Sequence, residues 1–322
     1  VLPESSKRKI TLRLSLLALM ALAAAALFMT LGARGNWGFV LPFRGAKLAG
    51  LVLVAVAIAL ATVVFQTITR NRILTPAIMG FDALYALIQT VLVFTLGAVR
   101  VSGFDPRIMF AVELVMMLGF AALLYRWLFG GAARSLHLLL LVGIIFGTFF
   151  RAIAGLFQRL IDPGEFLVLQ DRLFASFNGI DETLLSTAAL IIVASVAVLW
   201  RMLPVLDVLA LGREHAIALG VPQDRMVAIA LILVTILVAV STALVGPVSF
   251  FGLLVANLAY LILPSARHAV ILPGAALIAM ICLIGGQVIL ERVLSYGGVL
   301  AVVIEFIGGI VFLVLVIRGA AR

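Results

Sequence analysis

Only one cysteine, three histidines and three tryptophans occur in 322 residues, and charged residues make up just 11% of the chain. A lone cysteine excludes a disulfide framework and a CxxC pair. Cys282 lies inside an apolar run and reads as a small buried hydrophobe. His137, His215 and His268 are far apart, without the spacing of a metal-ligand set. A soluble domain carries about 25% charged residues. A chain that is 65% hydrophobic, with mean hydropathy +1.31, falls outside that class. There is also no Walker A loop, no serine elbow and no HExxH pair, so the chain has no P-loop with which to hydrolyse ATP. It reads as a non-enzyme.

What is present is long apolar runs, one after another. Runs of eighteen or more residues are long enough to cross a bilayer as helices. They are continuous rather than alternating, which excludes a β-barrel. Helices satisfy their own backbone polar groups in lipid, so the expected fold class is an all-α polytopic membrane protein. The 28 glycines suit close packing between such helices. Ten spans are expected, at roughly 12–31, 46–66, 81–98, 108–128, 136–157, 184–203, 226–244, 249–264, 269–290 and 299–317. The third and eighth are short, and are expected to be tilted, broken or partly buried. The basic residues Lys7, Arg8, Lys9 and Arg13 precede the first run as in a secretion signal, but no small-residue cleavage site ends it. A retained first helix is expected. The whole chain, 1–322, reads as one transmembrane domain.

The formal charge is +9. On scattered span ends this indicates membrane orientation rather than nucleic-acid binding. With the N-terminus inside, fourteen of the 23 lysines and arginines fall on the cytoplasmic side, including Arg70, Arg72, Arg201, Arg213, Arg225 and Arg267. Nine fall outside: Arg34, Arg44, Lys47, Arg100, Arg107, Arg151, Arg159, Arg172 and Arg292. The bias places both termini in the cytoplasm. The longest outer loop, 158–183, is too short for a separate domain and is expected to be an amphipathic or re-entrant gate segment.

Polar residues within or beside the spans divide between packing and transport. Glu113 and Glu305 fall inside spans, where a carboxylate must face protein or a water-filled cavity. Hydrogen bonding, pore lining and a proton relay are the alternatives for them. Gln66 and Gln287 either line a path or bond across helices. Arg70-Asn71-Arg72, with Pro76 and Gly80, follows the second span as an anchor or as a loop supporting the path. Phe149 and Phe150, with Phe157, read as interface anchors or as a gate.

One polar island interrupts the chain at 206–225, LDVLALGREHAIALGVPQDR. Leu206, Leu209, Ala210, Ala216, Ala218 and Leu219 recur near helical spacing. Gly212 and Gly220 break the helices, and Pro222 prevents simple continuation. Glu214 sits early in the second helix, where negative charge is favourable. The island reads as a helix, a turn and a short helix on the cytoplasmic side. Its alternatives are a docking element that transmits a rigid-body push and a plain solvated loop.

At these residues the chain resembles the FecCD family, the type II ABC importer permeases for ferric siderophores, haem and cobalamin. The resemblance lies in Leu209-Ala210-Leu211-Gly212, Arg213-Glu214, Ala216 and Leu219-Gly220. It extends over nearly the whole chain, with departures. The family's R-x-P-R is Arg44-Gly-Ala-Lys47, and its R-N-P-L-A-x-P is Arg70-Asn71-Arg72-Ile73-Leu74-Thr75-Pro76. The G-x-I-x-F-V-G-L-V-V-P-H-x-A-R signature keeps its frame over 246–260, but Ala256, Asn257 and Tyr260 stand at the Pro, His and Arg positions. The D-H-R loop before L-L-P survives as Arg267-His268-Ala269.

The resemblance implies the type II ABC importer permease fold. It implies that Leu209, Gly212, Arg213, Glu214, Ala216, Leu219 and Gly220 dock on an ATPase. That ATPase dimer would bind the ATP and magnesium, and this chain would hold no cofactor or metal. It implies a second permease subunit, with the departures favouring a heterodimer, and a periplasmic or lipoprotein binding protein met by Arg44, Lys47 and Arg100. Candidates for the path or gate are Gln66, Asn71, Glu113, Phe149, Phe150, Gln287 and Glu305. The expected function is import of a ferric siderophore across the inner membrane, leaning to the catecholate class. Cobalamin and haem are the alternative cargoes, and an ion- or proton-coupled secondary transporter is the alternative class.

Overall fold

The computed structural model of the chain describes residues 4–32, 35, 37–130, 136–178, 180–293, 300–304, 306, 309–310 and 313–314. They form helices α1 (Glu4–Thr30), α2 (Trp37–Thr69), α3 (Phe81–Leu96), α4 (Ala98–Ser102), α5 (Pro106–Gly130) and α6 (Leu136–Gln158). α7 (Pro163–Leu173), α8 (Glu182–Leu209), α9 (Arg213–Ala218), α10 (Gln223–Val245), α11 (Phe251–Ile262) and α12 (His268–Arg292) follow. A 3-10 turn, Pro76–Met79, precedes α3. Among the described residues seven helices are long and apolar enough to cross a membrane, and α3 and α11 are shorter apolar helices. Those two match the short third and eighth spans expected from sequence. Nine of the nineteen residues of the tenth expected span, including Glu305, lie outside the described residues.

α2 and α10 form the centre, with 72% of each apolar span buried, whereas α1 and α6, at 17% and 22%, run along the outside. α2 packs against α1, α8, α10, α11 and α12, so one long helix ties the bundle together. Its interior face is built from Val54, Ala57, Ala61, Val64 and Phe65, all without measurable exposure. Small and β-branched side chains of this kind permit the close helix approach that drives packing in lipid.

The shortness of α3 has a local cause. After α2 the chain turns back at Arg70, the one non-glycine residue with positive φ (53°) among those described, and enters the bundle as the 3-10 turn. Gly80, at φ 87°, lets the chain leave that turn directly into α3. The turn lies backbone-to-backbone on α6: a Cβ on Gly143 would stand 2.8 Å from Met79 Cα, and one on Gly80 would stand 3.1 Å from Gly147 Cα. Thus part of the third crossing is made by the turn rather than by helix.

The 158–183 loop is largely helical. α7 seats fully buried Leu169 against Val93, Ala98, Val101 and Ile161, at the adjoining ends of α3 and α4. Arg172 donates to Val101 O and Ser102 Oγ, both at 3.3 Å, and Tyr85 Oη donates to Arg172 O at 3.2 Å. α7 is therefore a packed cap across these helices.

Candidate functional site

The 206–225 segment forms a compact protrusion. α8 ends at Leu209, the chain turns at Gly212 (φ 104°), and the six-residue α9 ends in Leu219 and Gly220 (φ 78°) before Pro222 opens α10. Each break is stitched by backbone hydrogen bonds: Gly212 N to Leu209 O at 3.1 Å, Ala216 N to Gly212 O at 2.9 Å and Val221 N to Ala216 O at 2.9 Å. The candidate residues divide by role. Leu209 and Ala216 are buried and hold the protrusion to the bundle. Arg213 and Glu214 are exposed, as are Leu211, Ile217 and Leu219 at 56%, 56% and 62%. Three large apolar side chains thus stand exposed on and beside a helix of six residues, an apolar patch on an otherwise polar surface. Arg213 and Asp224 lie 3.7 Å apart on the surface, a pair worth little to stability.

Beneath the protrusion is the return loop after α2. The Arg70 guanidinium packs under Gly212, where a Cβ would lie 3.0 Å from Nη1. Asn71 shapes the loop by accepting from Ile73 N at 3.0 Å. Gln66 is buried and donates to Arg72 O at 2.8 Å. Arg72 stacks over the Tyr260 ring at 4.5 Å, and Asn257 donates to Arg72 O at 3.3 Å. The departures noted in sequence therefore meet in space. Where the family's R-N-P-L-A-x-P motif has its first Pro this chain has Arg72, and where the later signature has His and Arg it has Asn257 and Tyr260, with the cation moved across the contact.

A third connection binds α8 to α12 and α2. Asp207 accepts from His268 N at 2.8 Å and contacts His268 Nδ1 at 2.6 Å, while His268 Nε2 is 2.7 Å from Thr67 Oγ1. His268 is 4% exposed, so it is a structural link. Both ring nitrogens are thus engaged by protein groups, Nδ1 by Asp207 and Nε2 by Thr67. Among the described residues no group of three or more His, Cys, Asp or Glu is placed to hold a metal ion. Sequence reasoning missed this triad because Thr67, Asp207 and His268 are widely separated along the chain.

At the opposite end, two of the three residues expected on a docking surface have inward roles. Arg44 Nη1 donates to Phe28 O, Met29 O and Leu31 O at 3.0, 3.1 and 2.9 Å, capping the carbonyl end of α1. Lys47 is 6% exposed and pairs with Glu291 and with Asn178 Oδ1 at 2.6 Å. Docking requires an accessible ammonium, so the expectation for Lys47 is corrected: burial and an ion pair turn it inward. Gln287 belongs to the same network and donates to Glu291 at 2.9 Å. Arg100 remains exposed on α4.

The remaining candidates separate. Glu113 is 3% exposed and accepts from Gln89 at 2.5 Å, beside a cavity of about 310 Å³ that Tyr85, Arg172 and Ser176 also line. Phe150 is buried in an aromatic cluster with Phe120 and Phe146, at 5.1 and 5.8 Å, so it packs α5 on α6. Phe149 is 54% exposed, and Phe157 pairs elsewhere, with Phe94 at 4.8 Å.

Comparison with known proteins places this geometry. Residues 10–318 match the model of the FecCD transport family. The chain is 44% identical over 307 residues to the petrobactin import system permease protein YclO of Bacillus subtilis (strain 168), covering 95% of this chain and 97% of that protein. It is 37% identical over 278 residues to the petrobactin import system permease protein FatC of Bacillus anthracis, covering 86% and 78%. The fold superposes with TM-score 0.84, at 23% identity, on a solved chain from a transporter assigned to the metal-chelate ABC type in an inward-facing conformation. That match covers 96% of this chain and 99% of the other.

Proposed function

Because this chain belongs to the FecCD transport family, we propose that it is the permease subunit of an ATP-driven importer carrying a ferric siderophore across the inner membrane. It makes no covalent chemistry. The observation that carries the coupling role is the protrusion itself: a six-residue helix with Leu211, Ile217 and Leu219 exposed around it, and Ala216 fully buried beneath. An element fixed at its base and apolar at its tip suits a groove on another protein. ATP binding and hydrolysis belong to that partner, as does the magnesium. Closure of the ATPase pair pushes α9, and the Gly212–Arg70, Arg72–Tyr260 and Asp207–His268 contacts pass the movement to α2, α11 and α12.

The whole chain is one permease domain with 206–225 as its coupling segment, and both termini face the cytoplasm. Fourteen inner against nine outer basic residues support that orientation. A second permease subunit completes the path, and we favour a non-identical one because of the departures at 256–260. A substrate-binding protein docks at the other face, where Arg100 is exposed. A siderophore is favoured as cargo because the relatives over nearly the full chain are named as petrobactin import permeases. Cobalamin and haem are the alternatives. The test is purification of the chain coexpressed with an ABC ATPase and a second permease, followed by ATP-driven uptake of ferric siderophore, cobalamin and haem into proteoliposomes. Accumulation of the ferric chelate is expected. Accumulation of cobalamin or haem instead would replace the cargo, and an ATPase-binding dimer of this chain alone would overturn the heterodimer.

A further inference from the structure

α6 carries an arginine where a lipid-facing helix cannot. Arg151 lies within the apolar span 138–158, roughly seven residues or about 10 Å from the end of α6. It is exposed on the chain, and among the described residues it closes no hydrogen bond or ion pair. A charge at this depth must face protein or water. A side chain in lipid would extend toward the nearer interface. Arg151 instead folds back along the helix, with both terminal nitrogens 3.7 Å from where a Cβ would sit on Gly147.

The surrounding surface points the same way. Thr148, Arg151, Gly155 and Gln158 follow i, i+3, i+4 spacing and form one polar or small stripe, with Ile144 at its inner end. The adjoining exposed face carries Leu141, Ile145, Phe149 and Leu156, and suits lipid or an apolar partner. The stripe borders the buried face, close to the place where the 3-10 turn enters the bundle. Asp82, at the start of α3, lies within electrostatic reach of Arg151 and accepts from Ser249. Asp82 does not close an ion pair with the guanidinium.

Resting on the permease reading above, we infer that Arg151 is a station on the translocation path that receives the anionic groups of a ferric chelate. A planar guanidinium offers paired donors to carboxylate or catecholate oxygens. Because no ion pair from the described residues fills it, those donors are available to a passing anion. Contact at one station speeds entry without trapping the cargo, provided the cargo finds no second strong site there.

The complete importer, reconstituted in vesicles, provides the test. The probe is whichever anionic ferric chelate, a ferric tris-catecholate or ferric citrate, wild-type vesicles accumulate with ATP. Arg151→Gln is expected to lower its initial uptake about tenfold, the loss of one charge-assisted contact, while Arg151→Lys stays within about threefold. Thr148→Glu, one turn away on an exposed face, is expected to lower uptake similarly by pairing with Arg151, while Thr148→Gln is not. This second pair decides the matter should Arg151→Gln fail to assemble. Equal uptake by Gln and Lys at 151, or by Glu and Gln at 148, overturns the inference and leaves the permease reading standing. So does wild-type accumulation of neutral ferric chelates alone. Absence of any ATP-driven chelate uptake by wild type overturns the permease reading, and this inference with it.

Discussion

His268 Nδ1 lies 2.6 Å from Asp207 Oδ1, joining the first turn of α12 to the last turn of α8, at the base of the 206–225 protrusion. The same imidazole reaches Thr67 on α2 at 2.7 Å. Three helices thus share one buried side chain at the end of the bundle where the chain offers a docking element. On the proposed coupling role, a push on α9 that reached α8 would also load α2 and α12 through this side chain.

Replacing His268 by Ala strands two partners at once. We expect a loss of about 1–3 kcal/mol, the cost of leaving buried polar groups unsatisfied. His268→Gln is expected to recover part of it. Thermal unfolding of the purified complex gives the stability, and cargo moved per ATP hydrolysed gives the coupling. A variant that folds but moves less cargo per ATP identifies the link as a transmitting contact.

The relocated cation makes a reciprocal prediction. Tyr260→Arg alone faces Arg72 with a like charge, and Arg72→Pro alone removes the guanidinium from over the Tyr260 ring. Each is expected to lower the melting temperature. The cation–π contact is worth about 0.5–1 kcal/mol at an exposed site. The double variant Arg72→Pro, Tyr260→Arg restores the family arrangement and is expected to be more stable than Tyr260→Arg alone. A double variant no better than the sum of its parts would show that the two positions do not compensate.

How far the sequence could be read differs between these contacts. The spans, the short third and eighth helices and the broken helix at 206–225 were legible because run length, glycines and Pro222 act locally. The departures at 72, 257 and 260 were also legible, but only as losses. Their compensation depends on two segments about 185 residues apart meeting, and local periodicity carries no record of that. The inward contacts of Arg44 and Lys47 were not legible for a related reason. A basic residue at a span end looks alike whether it meets solvent or caps a neighbouring helix. Arg151 was counted among the outer charges, and only the fold shows it turned back into the span.

Lys47 and Glu291 form a buried pair, with side chains 7% and 8% exposed. Lys47→Met leaves the carboxylate uncompensated and is expected to cost about 3–5 kcal/mol, whereas Lys47→Met with Glu291→Leu is expected to recover most of that. Unfolding in detergent distinguishes them. If the single variant is as stable as wild type but no longer binds the substrate-binding protein, the ammonium belongs to a docking surface after all.

Asp181 caps α8, accepting from the Thr183 hydroxyl and from the backbone N–H groups of Thr183 and Leu184. The Thr183 hydroxyl, then its N–H, hold the carboxyl below the ordinary value of 3.8. A lowered folded-state value means the cap stabilises fully above that ordinary value and is lost as pH falls through the lowered one. We expect Asp181→Ala to melt below wild type at pH 7, and the two to converge in strong acid. A gap that persists in acid would assign the effect to something other than the charged cap.

Uptake driven through the protrusion is the decisive measurement. Leu219 is 62% exposed and Ala216 beneath it is buried, so Leu219→Asp changes the contact face and spares the core. In proteoliposomes holding both permease subunits, the ATPase and the binding protein, wild type is expected to accumulate ferric siderophore only with ATP. Leu219→Asp is expected to fold normally, lose the ATPase on purification and accumulate none. Uptake that persists without the ATPase, follows a proton gradient and disappears in Glu113→Gln would contradict this and identify a secondary transporter.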